Sequence, residues 1–385
     1  GAVCRGDIQS PAPMTLAARA WHAGSAPAPD LFDIEHAPAP ALFPTRLRPV
    51  HLAAGFGFLI AAAVGSLLIG PYDIAPGAIL LQVASRLPLL HIHSGLGATG
   101  VAVIWQLRMP QIVLGGLVGA MLAVAGASYQ GVFSNPLADP YLLGVASGAG
   151  LGATIVIVEG SSLHLPSSAL PVAAFAGAVV AVVATFALGR SRGAERSSAS
   201  LILAGVAIGA FFTAVQTFLQ QRGDGDEIQV VYNWILGSVS TAGWGQVELV
   251  LPYVAVSTAV LVACRRLLDV LSVGDEEATS MGVRAERVRL VVIVAATLGT
   301  AAVVSVSGLI GFVGIIVPHT IRLIAGPSYR RIIPLSVLFG AGFLILANLV
   351  ANAVLSPEAV PIGVVTACLG APFFVIVLRQ SRRLA

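Results

Sequence analysis

Apolar stretches long enough to cross a bilayer recur from residue 49 to the end of the chain, and they leave it few ways to fold. A helix needs about 20 apolar residues to span the hydrocarbon core. Such stretches fall near residues 49–69, 110–133, 142–159, 169–189, 199–220, 246–264, 287–305, 309–325, 333–355 and 361–379. At 57% hydrophobic and 10% charged residues, the chain has more apolar surface than a water-soluble domain buries. Its 42 glycines suit helices that approach closely in lipid, whereas a β-barrel would show short alternating segments. The expectation is an all-α membrane protein of about ten transmembrane helices. Ser305-Val306-Ser307-Gly308 marks the turn between spans seven and eight, and Pro318 interrupts the eighth.

Residues 1–48 differ from the rest. Pro27, Pro29, Pro38, Pro40 and Pro44 punctuate an Ala/Pro-rich tract with no apolar run of spanning length, which predicts a disordered tail ahead of a membrane domain at 49–385. The segment from Pro71 to Gln106 is too polar for a simple span, and its apolar part around Ile79 to Val83 fits a surface helix. Cys4, Cys264 and Cys368 are too scattered for a disulfide framework or a metal cluster.

All 21 basic residues are arginine, and arginine is retained on the cytoplasmic side. With the N-terminus inside, the inner connections hold fourteen of them: Arg190, Arg192, Arg196, Arg265, Arg266, Arg284, Arg287, Arg289, Arg322, Arg330, Arg331, Arg379, Arg382 and Arg383. The outer connections hold Arg86, Arg108 and Arg222. Both termini are therefore expected in the cytoplasm. The irregular stretch Gly126 to Gly150, with Asn135-Pro136-Leu137-Ala138-Asp139-Pro140 at its middle, then falls at the cytoplasmic face.

Lysine is needed for a phosphate-binding loop, so the chain cannot hydrolyse a nucleotide by that device. Ion-coupled transporters keep acids or histidines within the bilayer. No Asp or Glu lies between Glu286 and Glu358, and Glu159 and Glu248 fall near span ends, which disfavours a secondary transporter or channel. His319, beside Pro318, reads as a packed residue or as part of a pathway. The loop at 265–289 carries Gly274-Asp275-Glu276-Glu277-Ala278-Thr279-Ser280-Met281-Gly282, whose early acids and closing glycine predict a short surface helix. Ala278 and Gly282, four residues apart, would share a low face that another protein could approach. A solvated loop helix explains the same pattern.

From about Val50 onward the chain resembles the FecCD-like permease subunits of type II ABC importers, which take up cobalamin, haem and iron siderophores. The motifs are Leu107-Arg108-Met109-Pro110, then Asn135 to Pro140 with Leu143-Gly144-Val145, then Leu203-Ala204-Gly205-Val206-Ala207 and Trp234-Ile235-Leu236-Gly237-Ser238. They continue with Gly308-Leu309-Ile310-Gly311-Phe312-Val313-Gly314, Val317-Pro318-His319, Pro361-Ile362-Gly363-Val364-Val365-Thr366 and Leu369-Gly370-Ala371-Pro372.

The resemblance implies a multi-pass inner-membrane permease without catalysis or cofactor. It would work as a homodimer with two ATP-binding subunits and a periplasmic or lipid-anchored substrate-binding protein, in contact with membrane lipid and with no nucleic acid. It assigns ATPase coupling to Glu276, Ala278 and Gly282, and a cytoplasmic gate to Asn135, Leu137, Ser197, Ser198 and Ser200. The serines also read as a helix start. Thr213, Gln216, Thr217 and Gln220 recur at helical spacing and would line the translocation path, or pair between helices. Arg108 matches a docking arginine, whereas Gln111 and Asn352 occupy positions where relatives carry further arginines. The implied cargo is an iron chelate, haem or a ferric siderophore, with cobalamin the alternative; His91 and His93 could ligate haem iron or be ordinary loop residues. A membrane-embedded sensor would share the composition without moving its ligand.

Overall fold

The computed structural model describes residues 47–70, 72, 74–86, 95–166, 168–189, 198–355 and 358–381. Every regular element among them is helical: α1 (Pro49–Leu68), α2 (Pro76–Ala84), α3 (Ala98–Ala102), α4 (Met109–Val132), α5 (Val145–Glu159), α6 (Ala169–Gly189) and α7 (Ser198–Gln220). There follow α8 (Gly225–Leu236), α9 (Trp244–Leu271), α10 (Asp275–Ser280), α11 (Ala285–Ser307), α12 (Val313–Ala325), α13 (Tyr329–Val354) and α14 (Ile362–Ser381). Seven are long and apolar enough to cross a membrane once α3 and α4 are taken as one rod, and α5, α12 and α14 supply three shorter apolar segments. The ten expected spans thus each correspond to a helix. The surface helix expected around Ile79 is α2, though Ile79 itself is fully buried.

Two elements depart from the expected pattern. The stretch after α7 folds into α8, whose start is a capping box: Asp224 accepts from Glu227 N, and the Glu227 carboxylate accepts from Asp224 N. The helix leading into α4 passes through a π turn at Val103–Arg108. Pro110 explains it. Proline cannot donate to the carbonyl four residues back, so the register widens and Met109 N bonds to Ile104 O instead.

The helices pack through bare backbone. Gly119 lies on the Gly340 carbonyl where α4 crosses α13, Gly126 on Gly314 where it crosses α12, and Gly148 on Gly177 where α5 crosses α6. Two apolar helices in lipid gain nothing by hiding from water, so close contact of this kind supplies the attraction. Larger side chains fill the spaces between: Met121, Leu122, Leu261, Leu268 and Ile293 are almost wholly enclosed.

Contact registers show that α5 and α12 do not traverse the whole bundle. Gly144 and Gly148 at the start of α5 lie beside Ala181, yet α6 runs eight residues farther, to Gly189. At roughly 1.5 Å per residue, α5 begins about 12 Å inside that end of the bundle. Ser134 and Pro136 are exposed, in keeping with a break at the surface, and the chain then runs inward before α5 starts, with Ala138, Pro140, Leu143 and Gly144 buried. The α12 helix mirrors it. The α11 helix runs from the arginine-rich end, near Arg284 and Arg287, to Ser307, and 308–312 then returns inward as coil before α12 begins beside Gly126. Non-helical backbone at such depth is tolerated only where protein surrounds it.

Candidate functional site

The two inward coils meet. Pro140 lies on Gly314, and the Tyr141 hydroxyl donates to Ile310 O at 3.0 Å while accepting from Ile310 N at 3.1 Å. One side chain thus satisfies both backbone groups of a residue that no helix serves. Around it the family-like motifs converge. Gly205 of α7 approaches Leu142 O, so the Leu203–Ala207 motif packs on the end of the first coil. Gly308 approaches Trp234 O, and Gly363 approaches Leu236 O and Leu309 O. Ser238 N donates to Ser307 O at 2.8 Å, and Ile362 N to Gly237 O at 3.2 Å. Gly237 and Gly308 both have positive φ, which permits the turns at which α8, α11 and α14 touch. These stretches lie far apart in sequence, and only the fold reveals them as one hub.

The first coil is fixed by local bonds. Asn135 Oδ1 accepts from Leu137 N at 2.9 Å, and Asp139 Oδ1 from Tyr141 N at 2.8 Å. Asn and Asp stabilise such turns by standing in for a backbone acceptor. Gln130, fully buried on α4, donates to Gly314 O at 3.0 Å and accepts from Arg322 of α12 at 3.0 Å. Asn135 and Leu137 share this coil, whereas Ser200 stands in the first turn of α7. Ser197 and the Ser198 side chain lie outside the described residues, as do His91 and His93.

At the arginine-rich end, α10 packs across the base of α11. Arg289 donates to both oxygens of Asp275, each at 2.8 Å, and Val283 N bonds to Ala278 O at 2.9 Å. Glu276 and Gly282 are exposed, but Ala278 is fully buried. This corrects the shared face expected for Ala278 and Gly282: the small residue lets α10 sit down on its own bundle. The outward side is Glu276, Thr279, Ser280 and Met281, with Met281 55% and Val273 64% exposed. A cavity of about 730 Å³ opens beside this loop, floored by Phe133, Phe186 and Ile293 and rimmed by Arg284 and Arg287.

The expected path residues divide. Thr213 and Thr217 are exposed on α7, with Thr217 Oγ1 donating to Thr213 O at 2.9 Å. Gln220 is half-buried, and Gln216 is buried against Gly150 of α5. Only three of the four can meet anything outside the bundle. The His319 ring, half-buried, stands edge-on to Phe373 of α14, centroids 5.7 Å apart.

Arg108 does not stand out from the surface. Being 7% exposed, it donates to Leu67 O at 2.7 Å and Tyr72 O at 2.6 Å, closing the carbonyl end of α1. The guanidinium is thus engaged with the backbone of its own chain. Arg108→Ala would leave those carbonyls without a charged donor, and hydrogen bonds of that kind contribute about 1.5–3 kcal/mol each. The variant should lose several degrees of thermal stability in detergent, as read by tryptophan fluorescence. Of the other arginines expected at the outer face, Arg86 lies 5.1 Å from the Trp105 ring centroid and Arg222 pairs with Glu159 at 3.4 Å. Gln111 donates to Ser240 O, and the Ser240 hydroxyl is 3.1 Å from Asn352 Oδ1. The two positions without arginine are thus linked through one serine.

The model of the FecCD transport family matches residues 58–380. The chain is 37% identical to the ABC transporter permease protein YvrB of Bacillus subtilis, over 88% of this chain and 96% of that one. It is 41% identical to the cobalamin import system permease protein BtuC of Halobacterium salinarum, over 78% and 79%. It is 34% identical to the Fe(3+)-citrate import system permease protein YfmE of B. subtilis, over 84% and 93%. Its fold matches a solved inward-facing metal-chelate type ABC transporter with TM-score 0.75 at 28% identity, covering 86% of this chain and all of the other.

Proposed function

The chain belongs to the FecCD transport family of ABC importer permeases, and we propose that it forms the membrane passage through which ATP-driven import carries a bulky metal chelate. The observation that carries this is agreement with a metal-chelate transporter over nearly the whole membrane domain. An iron(III) chelate, haem or a siderophore complex, is the primary cargo, in keeping with relatives named for ferric citrate and for iron(3+)-hydroxamate. Cobalamin is the second reading, favoured by the 41% identical archaeal relative.

In this proposal the chain is a homodimer, and each copy rests on one ATP-binding subunit that supplies all hydrolysis. A substrate-binding protein delivers cargo at the face opposite the arginine-rich end. That end is the cytoplasmic one in an inner membrane, with both termini inside. The exposed apolar faces of α7 (Leu203, Val206, Phe211, Phe218) and α14 (Leu369, Val375, Ile376) leave room for a second copy around an axis. Thr213, Thr217 and Gln220 would give the passage a mildly polar wall, suited to weak contacts with a large complex. Asn135 and Leu137, with the serines at the start of α7, would form the inner closure. Coupling rests on Glu276, Met281 and Gly282, and docking on the polar Gln111–Ser240–Asn352 cluster together with Arg86.

Reconstitution tests the reading. Proteoliposomes holding the chain alone should neither hydrolyse ATP nor accumulate ferric hydroxamate, haem or cobalamin. With the cognate ATPase and binding protein, uptake of one class should begin and should require ATP. Vectorial uptake by the chain alone would overturn the proposal in favour of a secondary transporter.

A further inference from the structure

The coil-to-coil contact has a geometry suited to carrying motion between the two halves of the chain, and we infer that Tyr141 is a positioning residue for transport. This rests on the import reading above. The α10 helix is pinned to the base of α11 by the two-pronged Arg289–Asp275 pair. The α11 helix is one unbroken rod from Ala285 to Ser307, with no proline inside it. A displacement at α10 therefore reaches Ser307 with little loss, since a helix transmits axial movement as a rigid element.

Beyond Ser307 the rod ends in coil. The chain from 308 to 312 carries positive φ at Gly308 and at Phe312, whose ring rests on Gly370 of α14. Between those two residues sits Ile310, whose amide and carbonyl are both held by the Tyr141 hydroxyl. Tyr141 is placed in turn by Asp139, which accepts its N–H, and it stands four residues before α5. The sequence of contacts α10, α11, 308–312, Tyr141, α5 joins the loop helix to the helix whose Gly150 packs on Gln216 of α7, while Gly205 of α7 rests on Leu142 beside Tyr141. One hydroxyl holds both backbone groups of Ile310, so movement of one coil is imposed on the other.

Tyr141→Phe removes that oxygen and keeps the ring, Asp139 and both coils. In the reconstituted complex, assembly and ATP hydrolysis should persist while uptake falls about tenfold, within the usual range of coupling between sites. The number of ATP molecules spent per chelate should rise by the same factor. Hydrogen exchange in the assembled complex gives a second readout: ATP should alter exchange at 308–312 and 139–144 together in the unaltered chain, and at 308–312 alone in the variant. An unchanged ATP-to-chelate ratio would overturn the inference. So would loss of assembly, or uptake and hydrolysis falling in proportion, since either would make the tyrosine purely structural. Absence of ATP-dependent uptake by the unaltered complex would instead remove the import reading on which the inference stands.

Discussion

Gly126→Val is expected to abolish the folded protein in membranes. A Cβ at residue 126 would fall onto the backbone of Gly314, and the atoms it meets are main-chain atoms of another helix. A crowded side chain can change rotamer, but a backbone cannot, so α4 and α12 must separate. Overpacking in a well-filled core costs about 1–3 kcal/mol, and a backbone collision belongs at or above the upper end of that range. The same separation would strip Gln130 of its bond to Gly314 O and pull Pro140 away from its seat, exposing polar backbone at a depth where no water can replace the lost partner. Membrane yield and the monodispersity of the detergent-extracted protein measure this. Gly65→Val is the matched control, because the nearest atom there is the flexible tip of Leu349 at 4.0 Å; it should leave both near normal.

The second large effect concerns the loop helix, where inward and outward faces predict opposite failures. Met281→Asp replaces an exposed apolar side chain with a charge and removes nothing from the bundle. It should leave thermal stability unchanged and reduce co-purification of the ATP-binding subunit about tenfold or more. Ala278→Leu should do the reverse. Three further carbons beneath α10 have no space, and a cost of about 1–3 kcal/mol should appear as a lowered melting temperature of the isolated chain. If Met281→Asp binds the ATPase normally, this loop is a solvated turn and the coupling role lies elsewhere.

The sequence carried the ten apolar segments well because lipid imposes one requirement on every span, and length and hydrophobicity state it directly. Which side of a short helix faces inward is a different matter. For α10 the period and the small residues were visible, but nothing in six residues tells whether Ala278 is small for a partner or for its own bundle. Arg108 posed a similar problem: an arginine at a span end looks alike whether or not it closes α1, and the carbonyls of Leu67 and Tyr72 that it binds lie about forty residues away. The inward course of 138–144 was hidden because an irregular stretch has the same composition at a surface as in a protein-lined interior, whereas Ser134 and Pro136 do lie at the surface. The α8 helix could have been found. Asp224 three residues before Glu227, ahead of Ile228, Val231 and Trp234, is a start signal with an apolar period behind it.

The bare-backbone crossings also set the terms on which this chain can be repaired. Where a large side chain meets another, damage on one helix can be offset by trimming the neighbour. At Gly126 with Gly314, Gly119 with Gly340 and Gly148 with Gly177, both sides already stand at the smallest size available. No compensating substitution exists across the contact, so intragenic suppressors of a change at one of these glycines must lie away from its partner. In a mutational map such sites would form isolated points of intolerance without pairwise rescue, even though each sits in intimate contact with a known neighbour.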